Sequence, residues 1–305
     1  MIPNTNDGSD RTPRVRCYMN LMALEGLPEF SGRDLPSSLE AIRDAGFEGV
    51  QFAEPPIESA LATCQRLGLG MVGSGRVNDP ADASTVACRL ADEGMQGGTL
   101  HVGWGLENDS EAGQLIDAVL SAADRYRVPL YVETHRATIF QDMWRTVQFL
   151  QAFPELRFNG DFSHWYTGQE MVYGGFEKKF AFIAPVLERV RFVHGRIGNP
   201  GSIQVDVEDG NSVRHPYVTH FKQLWRASFE GFLASAVPGD YICFTPELLA
   251  SRIYYARSFK SPTGEILSEN DRWQQSLLLA EMGRECFGDA VERFSASTRS
   301  DTAIA

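Results

Sequence analysis

Short apolar runs alternate along the chain with segments of helical periodicity, and this alternation limits the folds open to it. The 305 residues contain eight such runs: VRCYMNLM (15–22), GVQFA (49–53), LGMVGS (69–74), GTLHVGW (98–104), PLYVET (129–134), RFNGDF (157–162), RFVHGRI (191–197) and YICFTPEL (241–248). Parallel strands need long crossover connections, usually helices. Eight strand–helix units are the number at which such a sheet closes into a barrel.

The segments between the runs place apolar residues on one helical face. Within 109–126, for example, Leu115, Val119 and Ala122 lie on one stripe. Gly46 stands where the first helix should stop, just before the second run. The sequence therefore predicts an α/β fold, a single closed (β/α)8 TIM barrel. A doubly wound open sheet is the alternative, but it seldom needs eight units.

Polar, small-residue segments flank the alternation at both ends. Residues 1–13 are predicted to be a disordered N-terminal tail, 14–295 the barrel domain and 296–305 a flexible C-terminal tail. One connection, 198–216, is a long loop rich in Gly, Pro and acidic residues. Long loops in compact domains are usually functional or disordered. This loop is expected at the C-terminal face of the barrel, where the chemistry of such barrels takes place.

An excess of acidic residues restricts the partners of the chain. The 28 Lys and Arg stand against 40 Asp and Glu, giving a formal net charge of -12. A surface of that sign repels phosphate backbones, so no nucleic acid partner is expected. The longest nearly uninterrupted apolar stretch, 180–187, is too short to span a bilayer, and no membrane association is expected.

The cysteines and the N-terminal residues indicate a cytoplasmic protein. The five cysteines are an odd number without CxxC spacing, so neither a disulfide framework nor a zinc knuckle follows. A reducing cytoplasm is the simpler compartment for such a chain. The first residues are polar and lack the apolar core of a secretory signal.

Ionisable residues stand near the C-terminal ends of four of the last five runs: Glu133, Asp161, His194 and Glu247. Taken singly, a strand-end carboxylate is more often a helix cap or a surface group, and a strand histidine is more often a satisfied core residue. On successive strands of a barrel, however, the four side chains would converge. Three carboxylates would then repel one another without a cation between them. The set predicts one divalent metal ion: Mn²⁺, Mg²⁺, Co²⁺ or Zn²⁺.

Further polar residues lie beside these four. His135, two residues after Glu133, is a candidate acid–base or neighbouring group, with an ordinary loop histidine as the alternative. His164 follows Asp161 by one helical turn and is close enough to contact a substrate. Arg196, two residues after His194, lies on the same side of that strand as His194. It is expected to hold an oxygen-rich substrate or to pair with a carboxylate.

Weaker candidates complete the predicted site. His101 points to the same face from the fourth run, with a packed core histidine as the alternative. Trp104, Trp165 and Tyr166 are expected either to form an apolar wall against sugar carbons or to pack in the core. Of these, His101 and Trp165 join the substrate-binding residues predicted above.

The motifs VETH, GDFSHW, VHGRIG and TPEL, in this order on predicted strands five to eight, resemble the xylose isomerase-like TIM barrel superfamily, the sugar phosphate isomerase/epimerase group. The resemblance covers about residues 15–288 and is concentrated in 131–248. It implies that one divalent metal ion is bound by Glu133, Asp161, His194 and Glu247. It also implies that His164 contacts the substrate and that Arg196 anchors it.

The chain departs from the endonuclease IV branch of this group. The third run, LGMVGSGR, lacks the histidine of that branch, and Asp206 in the loop after Arg196 has no companion histidine. Together with the negative charge, this argues against DNA repair. The absence of a glycine-rich phosphate loop after the seventh or eighth run favours an unphosphorylated substrate.

The resemblance implies an isomerase or epimerase of a sugar or keto-polyol, acting through a metal-stabilised enediolate with proton transfer by Glu133 and Glu247. A lyase or dehydratase acting on a keto-sugar or inosose, with His135 as acid or base, is the alternative. A non-catalytic sugar-binding barrel is a third. The expected partner is a small sugar or polyol. Homo-oligomers are common for this fold, although no feature of the sequence specifies an interface.

Overall fold

Eight parallel strands close into a barrel in the computed structural model, which describes residues 2–269 and 271–302, with the backbone alone for 297–302. The eight barrel strands follow a short strand, Thr5–Asn6 (β1), which pairs antiparallel with the last of them. They are Arg14–Asn20 (β2), Gly49–Phe52 (β3), Gly70–Val77 (β4), Gly98–Val102 (β5), Leu130–Glu133 (β6), Phe158–Gly160 (β7), Val190–His194 (β8) and Asp240–Thr245 (β9). Strands β2 to β9 pair in chain order and β9 returns to β2, which confirms the predicted (β/α)8 TIM barrel. Each predicted run overlaps one barrel strand.

Helices cover the outside of the barrel: Leu35–Asp44 (α1), Glu58–Leu67 (α2), Pro80–Asp92 (α3), Asp109–Tyr126 (α4), Met143–Ala152 (α5), Phe162–Gly168 (α6), Phe176–Phe182 (α7), Ala184–Leu187 (α8), Tyr217–Leu233 (α9) and Arg272–Thr302 (α10). Short 3-10 turns occur at Leu21–Leu24, Pro28–Phe30 and Ser251–Ile253. The predicted helix 109–126 coincides with α4, which Asn108 caps by accepting a hydrogen bond from the Ser110 N–H at 2.9 Å. Its predicted stripe, including Leu115 and Val119, is buried.

Three fully buried tyrosines, Tyr18, Tyr131 and Tyr241, fill the barrel interior near the N-terminal ends of the strands, and we call them the tyrosine plug. The Tyr18 hydroxyl lies 2.7 Å from Oε1 of Gln96, and the Tyr18 and Tyr241 ring centroids are 6.4 Å apart. Gly70 is required beside them, because a Cβ there would lie 2.6 Å from the Tyr18 ring. The bottom of the barrel is therefore closed by side chains.

The N-terminal segment, predicted as a disordered tail, is instead part of the fold. Thr5 pairs with Tyr241 in the β1–β9 ladder, and the Thr5 hydroxyl lies 2.8 Å from the Tyr131 hydroxyl. The Asp240 carboxylate accepts hydrogen bonds from the side-chain amides of Asn4 at 2.8 Å and Asn6 at 2.6 Å. The polar composition that suggested disorder thus supplies hydrogen bonds to polar groups at the barrel bottom.

The C-terminal boundary also differs from the prediction. Helix α10 runs to Thr302, so most of the predicted tail 296–305 continues a helix. Residues 303–305 of that tail lie outside the described residues.

The segments at the C-terminal ends of the strands, which we call the mouth, are held together by side-chain bonds. Gln204, in the long loop predicted at 198–216, accepts from the Leu249 N–H at 2.8 Å and donates to the Leu249 carbonyl at 3.1 Å. The segment after β9 continues into an exposed antiparallel hairpin of Ser258–Lys260 (β10) and Ile266–Ser268 (β11). The long loop therefore supports the segment that carries Glu247 and Tyr255.

All five cysteines are free, and four of them are buried. Within the part of the chain that the structure describes, the search for a bilayer-crossing helix finds no segment of sufficient length and hydrophobicity.

Candidate functional site

Four predicted side chains meet at the floor of the mouth. Glu133 ends β6, Asp161 follows β7, His194 ends β8 and Glu247 follows β9. Because these four strands are consecutive and parallel, their ends meet at one edge of the barrel. Each residue offers a ligand atom, and these atoms all lie within 4.8 Å of one another. Nδ1 of His194 lies 3.4 Å from Oε2 of Glu133 and 3.6 Å from Oε2 of Glu247.

The acid–base balance of this cluster shows an excess of buried negative charge. Burial acts to raise the pKa of Glu133, but the positive charges of His194 and His101 outweigh it and hold this pKa well below its usual range. Burial alone would lower the pKa of His194, yet the carboxylates of Glu247 and Glu133 raise it to about 9. Burial also raises the pKa of Glu247. A divalent cation would neutralise this excess and take the place of the proton on His194.

The hydrogen bonds of His194 orient its ring for metal binding. Gln51 donates from Nε2 to the hydroxyls of Thr99 at 3.0 Å and Ser74 at 3.2 Å, which identifies its Oε1 as the acceptor. This oxygen lies 3.0 Å from Nε2 of His194. The histidine therefore carries its proton on Nε2 when neutral. Its Nδ1, which lies 3.1 Å from Nδ2 of Asn159, faces the carboxylates, where a metal ion would bind it.

Asn159 adds a second amide to the cluster. Its Nδ2 donates to Oε2 of Glu133 at 2.9 Å, while its buried Oδ1 has no hydrogen-bond partner among the described residues. A buried oxygen without a donor, beside three carboxylates and an imidazole, is compatible with a nearby cation. The donor set of the cluster therefore fits one divalent metal ion.

Arg196 is fully buried and neutralises part of the cluster. Its guanidinium pairs with Asp161, lies 3.1 Å from Oε2 of Glu247 and donates from Nε to the Ser163 hydroxyl at 3.0 Å. Although burial would lower its pKa, the carboxylates of Asp161 and Glu247 raise it. Of the two predicted interactions of Arg196, the structure shows the ion pair with carboxylates.

Three imidazole rings, those of His101, His135 and His164, pack beside the cluster, and we call them the histidine stack. The ring centroid of His135 lies 4.1 Å from that of His101 and 3.9 Å from that of His164. Nε2 of His101 is 3.4 Å from Oε2 of Glu133. Burial, with the nearby His164, lowers the pKa of His135 to about 2, so this ring is neutral at physiological pH. Its Nε2 lies 3.0 Å from the Tyr255 hydroxyl.

A cavity of about 510 Å³ opens above these groups. Its polar lining includes Asn20, Arg76, His101, Glu133, His135, His194, Glu247 and Tyr255. This volume is suitable for a small molecule. Asp161, His164 and Arg196 lie behind the lining, fully or almost fully buried.

The aromatic residues of the predicted site differ in their burial: two lie in the core and one lies at the mouth. Trp165 is fully buried, and its indole N–H donates to the Phe140 carbonyl at 3.0 Å, so it packs in the core and does not reach the cavity. Tyr166 is also buried, and its hydroxyl lies 2.8 Å from Nδ1 of His220. Trp104 lies at the mouth with 52% of its surface exposed. Core packing therefore describes Trp165 and Tyr166.

Several site residues escaped the sequence analysis: Asn20, Gln51, Arg76, Asn159 and Tyr255. The strand-end criterion would have found Asn20, which ends β2 and donates from Nδ2 to Oε1 of Glu247 at 3.1 Å, had it included amides. Tyr255 lies in a loop without a sequence signal.

Comparisons with known proteins point to one fold. Neither a scan against protein-family models nor a search of curated protein sequences gives a match. Among solved structures, a xylose isomerase-like TIM barrel protein from Mycobacterium smegmatis in complex with magnesium is 14% identical, with a TM-score of 0.54, over 89% of this chain and 97% of its own.

A second solved structure is similar to a comparable degree. The probable 3-DHS dehydratase AsbF from Bacillus anthracis, described as involved in petrobactin synthesis, is 13% identical with a TM-score of 0.51. The match covers 89% of this chain and 97% of that one. At these identities the likeness concerns the fold. The chain has the fold of the xylose isomerase-like TIM barrels.

Proposed function

We propose that this protein is a divalent-metal-dependent isomerase or epimerase of a sugar or keto-polyol. The observation that carries the proposal is the convergence of Glu133, Asp161, His194 and Glu247, with ligand atoms within 4.8 Å of one another, at the floor of a cavity of about 510 Å³. Both structures compared above have this fold, and one was determined in complex with magnesium. The volume of this cavity suits a small molecule.

The two glutamates are the proposed proton-transfer groups. Glu133 ends β6 and Glu247 follows β9, so they approach the cavity from different sides of His194. Their environments differ: the pKa of Glu133 is held low beside His194 and His101, whereas burial raises that of Glu247. Both side chains border the cavity, and carboxylates placed on two sides of a substrate suit the removal and return of one proton.

Other residues position these groups. A bound divalent cation would supply Lewis-acid polarisation of a substrate carbonyl and its neighbouring hydroxyl. Asn20 holds Oε1 of Glu247 and Asn159 holds Oε2 of Glu133, each through a side-chain amide. Arg196 fixes Asp161 and Glu247 from below. His101 and His135 face the cavity and are the proposed contacts to substrate oxygens.

The test is solvent-deuterium exchange. The protein is loaded with Mn²⁺ or Mg²⁺, its metal content is measured, and a set of aldoses and ketoses is followed by NMR in D₂O. Isomerisation or epimerisation predicts deuterium at a retained carbon. Glu247→Gln should abolish it, whereas Glu54→Gln, a cavity-rim glutamate outside the cluster, should not. Failure to bind metal, or unchanged exchange in Glu247→Gln, contradicts the proposal; a metal-free inert barrel would favour a sugar-binding protein.

A lyase is the second candidate, and His135 favours it. This imidazole is neutral, lines the cavity and lies 3.0 Å from the Tyr255 hydroxyl, so the imidazole can accept the proton that an elimination removes and the hydroxyl can give one to the leaving hydroxyl group. Elimination would give an α,β-unsaturated product that absorbs in the ultraviolet. His135→Gln should then remove product formation while leaving metal binding intact.

A further inference from the structure

Arg76 presents a positive charge to the cavity from the side opposite Glu247. It belongs to β4, and its guanidinium carbon lies 3.8 Å from the centroid of the Trp104 ring. One nitrogen, Nη1, donates to the Gly103 carbonyl at 2.9 Å. The stacking and this single hydrogen bond fix the plane of the guanidinium, and the residue lines the cavity.

No carboxylate within the described residues forms an ion pair with Arg76, although several lie near it. Glu107 accepts the backbone N–H groups of Trp104 at 2.7 Å and Leu106 at 3.0 Å. Glu133 is occupied by the metal cluster and the histidine stack. Glu54 is exposed at the cavity rim.

Other cavity and cluster arginines are paired, which makes Arg76 distinctive. Arg89 also lines the cavity, but it lies 3.0 Å from Oε2 of Glu93 and donates to the Ser74 carbonyl at 2.8 Å. Arg196 is paired with two carboxylates of the cluster. In a chain of formal net charge -12, an unpaired guanidinium facing a cavity is unusual. Guanidinium groups bind carboxylates and phosphates through paired N–H donors.

The register of the barrel sets the distance between this guanidinium and the metal cluster. Arg76 pairs with His101 across β4 and β5, and Nε2 of His101 lies 3.4 Å from Oε2 of Glu133 on the next strand. Two strand spacings correspond to about 10 Å between backbones. One small molecule can therefore place a polar end at the cluster and an anionic end at Arg76.

We propose that Arg76 binds a carboxylate of the substrate, so that the enzyme acts on a sugar acid and not on a neutral sugar; this assignment rests on the proposed function. A carboxylate suits this site better than a phosphate, because one guanidinium with Nη1 already bonded offers a single positive charge and few donors. Trp104 packs against the guanidinium and holds it ready for the anion.

The test measures binding separately from turnover. Calorimetric titration of the magnesium-loaded protein compares D-glucuronate, D-glucose and D-glucose 6-phosphate, which differ at one terminal carbon. We expect glucuronate to bind about 10- to 100-fold more tightly than glucose, in line with a charge-assisted hydrogen bond. Glucuronate binding no tighter than glucose, including no binding, overturns the proposal. A preference for the phosphate overturns the choice of carboxylate.

Variants assign the preference to one residue. Arg76→Gln should remove the preference for glucuronate, and Arg76→Lys should retain part of it. Arg136→Gln removes an equal charge from an exposed arginine stacked on Tyr255, outside the cavity lining, and should leave the preference unchanged. Thermal unfolding of each variant verifies its fold. A preference that survives Arg76→Gln in a folded protein also overturns the proposal.

The deuterium-exchange test keeps the two proposals apart. Exchange on neutral sugars, without any Arg76-dependent preference, would support the isomerase and refute the sugar-acid assignment. An Arg76-dependent preference for glucuronate, in a protein that binds no metal and exchanges no substrate proton, would refute the isomerase and leave the anion site in place.

Discussion

Two buried arginines lie near the ends of strand β8, one at its N-terminal end and one just past its C-terminal end. The first is bonded to neutral groups and the second to carboxylates. Arg191 donates to neutral acceptors: the Glu188 carbonyl at 3.0 Å, Oδ1 of Asn4 at 2.7 Å and the Ser235 hydroxyl at 2.8 Å. Arg196 pairs with the carboxylates of Asp161 and Glu247. Burial lowers the pKa of Arg191 to about 10, whereas the carboxylates raise that of Arg196 despite its burial.

This difference separates a structural end of the barrel from a chemical one. At the bottom, Arg191 and Asp240 are bonded to backbone, amide and hydroxyl groups, and the tyrosine plug fills the interior. At the mouth, charged groups face one another around a cavity, and a buried oxygen of Asn159 lacks a donor. Such strained electrostatics is typical of functional sites and is retained at some expense of stability.

The largest effect is expected from the mouth. Glu133→Gln removes a predicted metal ligand and proton-transfer group, so we expect a loss of catalysed exchange of about 10³-fold or more. The metal-free protein should lose about 1–3 kcal/mol of stability at neutral pH, because the carboxylate of Glu133 pairs with His194 and His101 in the folded protein. Metal content and urea unfolding check both expectations. A folded variant that keeps wild-type exchange would break the contrast between the two ends.

The matching change at the bottom should act on stability alone. Arg191→Met keeps the apolar stem but leaves the Glu188 and Val190 carbonyls and Asn4 without their donor. We expect the free energy of unfolding to fall by about 2–4 kcal/mol, with turnover per folded molecule unchanged. Lys222→Met on the surface is the control, with a change within about 0.5 kcal/mol. A comparable loss of turnover would show that the two ends are coupled.

A pH dependence should distinguish the two ends in metal-free protein. The folded pKa of His194, about 9, exceeds the ordinary value of 6.5. Its protonation therefore stabilises the fold fully below pH 6.5, and this contribution, at most about 3 kcal/mol, is lost as pH rises through 9. Urea unfolding in EDTA across this range should show the decrease. Saturating metal should abolish it, and an unchanged free energy would contradict the raised pKa.

A smaller effect, on metal affinity, is expected from Gln51, which holds the ring of the predicted metal ligand His194. Gln51→Leu removes the acceptor that holds Nε2 of His194, so metal affinity should fall about 10- to 100-fold. Gln51→Glu retains an acceptor at this position and should recover part of the affinity. Competition with a fluorescent chelator measures both variants. Equal affinity in Gln51→Leu would mean that neighbouring groups, such as Asn159, orient the ring without Gln51.

The barrel was predictable because apolar runs alternate with segments of helical periodicity along the chain. The convergence of the ligand candidates was predictable because each stands at the C-terminal end of a parallel strand. Trp165 was harder: it directly follows His164 in α6, where consecutive side chains point about 100° apart. The sequence could not show which of the two faces the core. Gln51 and Tyr255 depend on contacts between distant segments, and β1 on hydrogen bonds that only the closed barrel provides.

The tyrosine plug closes the barrel at the N-terminal ends of its strands and leaves it open only at the mouth. With Tyr18, Tyr131 and Tyr241 fully buried at one end, substrate and product must share the passage at the mouth. A product molecule still in that passage excludes the next substrate. Product inhibition of any reaction at this floor should therefore be competitive with respect to substrate, and faster turnover would be sought by widening the mouth.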